Sequence, residues 1–397
     1  MRDTGQWLVG AAGLFLIFSV LLDAFETIVL PRRVTRQFRL TRLVYRLTWI
    51  PWSSVARHMS RHSPRRESFL SFYGPLSLII LLLVWVVTLV VGFGLLFWGL
   101  GSPLVLARGR EHLSTDIYLS GTNFITLGIG DVDPNTTLTR AITVIEAATG
   151  FGFFALVISY LPTLYQAFSR REARIALLDA RAGSPPTAVE LLRRAGRSHG
   201  VAKLDQFLYS WEEWSAELLE SHLSYPTLAY FRSQHENQSW LGALTMILDA
   251  CSLVLVGVDG VPAGQAQLTF AMARHAAVDL SQVFGTRPEP PSPPRLTVDE
   301  FTAIQAELAD SGLPMPKGAE AWHELGQLRE LYEPYVNALA RRLLFALPSW
   351  LPPAVVHDDW AASAWESVWA IPPLPDFENE AGWLISEETR PGPAADG

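Results

Sequence analysis

Ser120-Gly-Thr-Asn-Phe-Ile-Thr126-Leu127-Gly128-Ile129-Gly130-Asp131 lies between two long hydrophobic segments, at the end of a short run with helical character. In a strand successive carbonyls alternate sides. Glycine enters φ > 0 at little steric cost, so Gly128 and Gly130 let neighbouring carbonyls point the same way. A row of carbonyls aimed at one axis can replace the water around a dehydrated cation. A Thr-x-Gly-x-Gly string alone also occurs in ordinary tight turns. Here the flanking apolar segments, the preceding short helix and the trailing Asp131 coincide with it.

The stretch resembles the filter of the potassium-channel superfamily, Thr-Val-Gly-Tyr-Gly, in its simplest build of outer helix, pore helix, filter and inner helix. The resemblance implies that the Thr126 hydroxyl and the carbonyls of Thr126, Leu127, Gly128 and Ile129 line a queue of K+ ions. Gly130 and Asp131 would support it, with Asp131 behind the outer mouth. It covers residues 69–170. Two positions depart from the family pattern: Ile129 replaces the usual aromatic residue and Ile125 a common second threonine. The family's pore-helix tryptophans are absent, with Tyr118 and Leu119 in that region, and Thr122 stands where some relatives carry an acid.

Composition agrees with a membrane protein. Of 397 residues, 49% are hydrophobic, and they are concentrated in runs rather than spread. Trp7–Leu30, Pro75–Leu100 and Ala141–Phe168 are each long enough to cross a hydrocarbon core, which takes about 20 helical residues. The first is expected to be a retained anchor rather than a signal peptide, because it lacks a basic lead-in beyond Arg2 and carries Asp23 and Glu26. Between Pro31 and Arg66 stand ten arginines and no acidic residue. By the positive-inside rule that loop is cytoplasmic, which puts the N-terminus and the filter outside. The expected location is a bacterial cytoplasmic (inner) membrane.

The expected fold is an all-α membrane protein: a tetrameric potassium-channel pore, an extra N-terminal transmembrane helix and an all-α cytoplasmic domain. The corresponding divisions are 1–68, 69–170 and 171–397. In 1–68, Leu40, Leu43, Val44, Leu47 and Ile50 recur at helical spacing opposite Arg36, Arg39, Arg42 and Arg46. That helix, over 35–50 with a break at Pro51, is expected on an anionic inner leaflet with Trp49 and Trp52 at the interface. Gly74-Pro75 is read as the start of the outer helix. The pore helix is expected over 115–125, capped by Ser114 or Thr115 with Asp116 in its first turn.

The inner helix carries four gating candidates. Gly150 stands where the resemblance puts a hinge, and Gly152 is a second small residue; close helix packing explains both equally well. Pro162 removes a backbone bond nearer the cytoplasmic end. Glu146 is an ionisable group inside a span, read either as a functional group bonded to pore-helix groups such as Thr122 or as a structural polar contact between subunits. Asp23 and Glu26 raise the same question, with Arg32 or Arg33 as possible partners.

Residues 1–169 carry 14 basic and 9 acidic groups, whereas 170–397 carry 17 and 30. The acidic second part argues against nucleic-acid binding. Helices are expected near 187–197, 203–222, 238–256, 265–284, 298–311 and 320–347, and the tail 391–397 is expected to be disordered. The aromatic and polar stretch 223–240 reads as structural packing, a ligand pocket or an intersubunit contact. Gly150-Phe-Gly152-Phe-Phe-Ala155 matches the letter of a dinucleotide fingerprint inside a membrane span, where that motif cannot work. His222, His235 and Glu236 have no diagnostic metal spacing. No nucleophile has a recognisable partner set, so the chain is read as a non-enzyme without cofactor, K+ being its transported ion. A single cysteine excludes an intrachain disulfide. Three functions stay open: a potassium-selective homotetrameric channel, a weakly selective monovalent cation channel, and a pore-fold sensor or scaffold.

Overall fold

The computed structural model describes residues 4–30, 39–60, 63–101, 104–106, 112–197, 201–233 and 237–352. Arg32, Arg33, Arg36, His235, Glu236 and the 391–397 tail lie outside them. The chain forms two compact units, one of Met1–Ser169 with Ser221–Arg232, the other of Arg170–Glu220 with Ser233–Gly397.

The first unit begins with α1 (Thr4–Ala24), which runs into a π-helical turn, Phe25–Val29. Then follow α2 (Leu40–His58), α3 (Pro64–Gly99), β1 (Leu104–Leu106), α4 (Leu113–Phe124), β2 (Val132–Pro134) and α5 (Thr137–Ala176). In α1 and α3 glycines face each other. A Cβ on Gly13 would lie 2.4 Å from the Gly92 carbonyl oxygen, and one on Gly99 would lie 2.4 Å from the Gly10 Cα. Without side chains at these points the two helices pack backbone to backbone, as small residues allow in lipid.

Asp23 closes the lower end of that seam. It is fully buried and accepts from Trp85 Nε1 on α3 at 3.0 Å, from Thr41 N at 2.9 Å and from Thr41 Oγ1 at 2.6 Å. Thr41 N is one of the donors that the first turn of α2 leaves without a helical partner, so Asp23 caps α2 from another helix. Arg39 Nε stands 3.4 Å from Asp23 and 3.5 Å from Glu26. The acids near the end of the first span therefore meet Arg39, while Arg32 and Arg33 lie outside the described residues.

Two expected helix breaks are absent. Helix α2 continues through Pro51, and α3 starts at Pro64, so Pro75 lies inside it. Packing around both prolines supplies the reason. Trp49 is buried against Tyr73 and Tyr230 rather than set at an interface, and Trp52 stacks on Phe69 at 4.4 Å. Phe231 fills the space beside Gly74, where a Cβ would meet it at 2.8 Å. A proline costs a helix interior roughly 3 kcal/mol, which this aromatic burial offsets. The other face of α2 exposes Leu43, Leu47, Ile50 and Val55 alongside Arg42, Arg46 and Arg57.

The segment that supplies Tyr230 and Phe231 lies far downstream in sequence. It is a 3-10 turn, Pro226–Tyr230. Tyr45 stacks on Tyr230 and its hydroxyl meets Thr227 Oγ1 at 2.8 Å. Leu228 and Phe231 join Leu78, Tyr160, Leu164 and Phe168 in one apolar cluster. The described contacts of 225–231 within the chain are packing contacts.

The second unit is helical: α6 (Asp179–Ala182), α7 (Ala188–Arg197), α8 (Val201–Ser224), α9 (Trp240–Gly257), α10 (Ala263–Val283), α11 (Val298–Asp310), α12 (Ala319–Glu330) and α13 (Glu333–Leu343). The single helix expected over 320–347 is two, because Pro334 in the first turn of α13 has no N–H to continue α12. Among the described residues four helical stretches are long and apolar enough to cross a membrane, namely Thr4–Val29, Pro64–Gly99, Thr137–Ala182 and Trp240–Gly257. The fourth, α9, differs in being 83% buried within the protein, against at most 39% for the others. An all-round apolar helix enclosed in this way is the core of a domain. Its charged residue, Asp249, is met by Arg295 at 2.6 Å and by the Tyr332 hydroxyl. Arg295 also reaches Glu333 at 3.1 Å.

Candidate functional site

Helix α4 is short, amphipathic and wedged between α3 and α5. It begins at Leu113 after His112, which makes no side-chain cap, so neither Ser114 nor Thr115 is the cap residue; Asp116 does lie in the first turn and is buried. Gly94 of α3 lets α4 approach, since a Cβ there would lie 2.8 Å from Ile117. At the other end Phe124 is fully buried between Phe153 and Phe154 of α5. Gly150 allows that seat: a Cβ on it would fall 1.9 Å from the Phe124 carbonyl oxygen.

After Phe124 the chain turns. Thr126 N donates to Asn123 O at 2.9 Å and Leu127 N to Thr122 O at 2.7 Å. Thr126, Gly128 and Gly130 have φ of 57°, 54° and 75°, whereas Leu127 and Ile129 between them do not enter the left-handed region. The backbone thus changes hand at every residue. Such alternation breaks the strand rule by which neighbouring carbonyls point to opposite sides. Threonine seldom adopts φ > 0, so Thr126 holds a conformation that its neighbours impose. The stretch 125–131 is exposed in the single chain, with Leu127 and Ile129 more than half exposed.

Two ties hold this loop from outside. The Tyr118 hydroxyl donates to Asp131 Oδ2 at 3.1 Å, joining α4 to the end of the glycine stretch. The strands β1 and β2 pair antiparallel, Leu104 with Pro134 and Leu106 with Val132. Leu104 and Val132 are buried with Phe97 and Leu119. Neither tie was visible in the sequence. Tyr118 offered the signal, an aromatic residue with a polar end in the segment expected to form the pore helix.

Glu146 is fully buried on α5 and meets α4 at Ser120 rather than at Thr122, whose hydroxyl donates to Leu119 O within its own helix. Gly152 has open space around it, and α5 runs unbroken through Pro162. Among the described residues no group of His, Cys, Asp and Glu is placed to hold a metal ion.

Residues 82–167 match the family model described as "Ion channel". This segment runs from the middle of α3 through α4 and the glycine loop to the lower part of α5. The chain is also 26% identical, over 191 residues, to the uncharacterized membrane protein YdjJ of Bacillus subtilis (strain 168). That similarity covers 48% of this chain and 55% of the relative, so the chain spans about half the length of the curated relative it matches. No solved structure matches. Residues 82–167 are thus similar to an ion-channel domain, in a chain whose described residues include four helical stretches long and apolar enough to cross a membrane.

Proposed function

We propose that the protein is a potassium-selective channel that conducts K+ passively through a filter built from four copies of Thr126-Leu-Gly-Ile-Gly-Asp131. The observation that carries this reading is the change of backbone hand at Thr126, Gly128 and Gly130. Aligned carbonyls from one chain give one wall of an ion site; a ring that replaces a full hydration shell takes several chains, hence a homotetramer. Exposure of 125–131 in the single chain supports this, since these residues have room for neighbours. So do Phe151 and Ile158 of α5, both more than 70% exposed. The arginine-rich loop supports an orientation with the filter outside and residues 171–397 as an acidic cytoplasmic domain. The exposed apolar and basic face of α2 suits the anionic inner leaflet.

A second reading is a weakly selective monovalent cation channel. It is favoured by Ile129, which has no hydroxyl to fasten the middle of the filter to α4. Purified protein in liposomes separates these from a non-conducting scaffold. Barium-sensitive K+ flux from a tetramer is expected, and its absence under all conditions supports the scaffold.

A further inference from the structure

Ser120 sits where three helices meet. Its hydroxyl oxygen lies 2.8 Å from the carbonyl oxygen of Val90 on α3 and at hydrogen-bonding distance from Glu146 Oε1 on α5. A serine hydroxyl has one hydrogen to give. A backbone carbonyl can only accept, and so can an ionised carboxylate. Two contacts between oxygens therefore need two hydrogens, and Ser120 supplies one. The second can come only from Glu146.

The surroundings agree. Glu146 is fully buried inside a span, and among the described residues no cation forms an ion pair with it. The polar groups that face it, Ser120 and Asn123 of α4, are both neutral. Its other oxygen, Oε2, makes no close hydrogen bond, the Asn123 amide that faces the carboxyl standing beyond bonding distance. A neutral acid tolerates one unsatisfied carbonyl oxygen, whereas a buried charge without a partner is far more costly.

We propose that Glu146 carries its proton and donates it to Ser120, which in turn donates to Val90, so that one directional chain of hydrogen bonds fixes the pore helix between inner and outer helices. Glu146 is then a positioning residue. It sets the height of α4, and with it the turn at Phe124–Thr126 that starts the glycine loop. The protonation stands on the hydrogen count alone; its consequence for selectivity rests on the filter reading.

Infrared difference spectra of the full-length protein at neutral pH, wild type against Glu146→Gln, test the proton directly. A protonated-carboxyl C=O band in the wild type, lost in E146Q, is expected; a carboxylate band in its place overturns the proposal. Bi-ionic recordings test the positioning. The Gln amide can still donate to Ser120, so E146Q should keep the K+/Na+ permeability ratio of the wild type. Glu146→Ala should lower it by about tenfold, the scale of one lost buried hydrogen bond. E146Q as damaging as E146A would also overturn the proposal. Should the wild type carry no current, the infrared band still decides the proton.

Discussion

Gly150 of the inner helix stands directly against the carbonyl oxygen of Phe124, the last residue of the pore helix, with no space for a side chain between them. That contact makes Gly150 a close-packing point between α4 and α5. Gly150→Ala forces α4 and α5 apart and should cost about 1–3 kcal/mol or more, the range for overpacked cores. Gly152→Ala meets nothing within 4 Å in its own chain. Thermal melts of the detergent-solubilised protein should show a clear drop for G150A, and a small one for G152A. Equal drops would contradict the seat.

Tyr118→Phe removes the hydroxyl that reaches Asp131 and leaves the ring in place. The site is exposed, so the stability loss should stay near the bottom of the roughly 0.5–1.5 kcal/mol expected for one hydrogen bond. Selectivity should suffer more. On the proposed filter reading Ile129 offers no hydroxyl to fasten the loop, and the Tyr118–Asp131 bond ties α4 to its end. Rubidium and sodium permeability relative to K+ should rise in Y118F, measured from reversal potentials.

Asp23→Ala leaves Trp85 Nε1–H and Thr41 N–H without their acceptor. Each buried orphan costs about 1–3 kcal/mol. Trp85→Phe removes one donor together with its demand, and should be milder. A double-mutant cycle between the two positions, read by melting temperature, should show positive coupling; strictly additive losses would mean that the bond contributes nothing.

Asp249→Ala removes one of the two carboxylates that meet Arg295 inside the second unit, leaving Glu333. Breaking a buried pair on one side costs about 3–5 kcal/mol, so this variant should lose helical signal on heating well before the wild type. Its damage should be confined to the second unit, leaving limited proteolysis of residues 82–167 unchanged.

Much of the pore was legible because its signals are strong and local. Long apolar runs announce spans, and the glycine spacing at 128 and 130 announces a loop with unusual φ. What escaped was decided by contacts distant in sequence. Pro51 and Pro75 are helix breakers by propensity, yet Tyr230 and Phe231, more than 150 residues away in sequence, pack against the nearby Trp49 and Gly74. The strands β1 and β2 are too short for a periodic pattern, and their pairing is set by where α4 begins and the loop ends. Asp23 was noticed for its charge, but its link to Trp85 spans 62 residues. Ser120, quoted as the first residue of the decisive stretch, became informative only when Glu146 and Val90 were placed on either side of it.

The central claim is that the carbonyls of Thr126 to Ile129 from four chains replace the water around K+. The bi-ionic reversal potential of the purified tetramer, with K+ on one side of a bilayer and Na+ on the other, tests it most directly. A potential displaced far toward that expected for K+ permeation alone, and moved toward zero by Gly128→Ala, is predicted. A wild-type reversal near zero, or one that Gly128→Ala leaves unchanged, would contradict it.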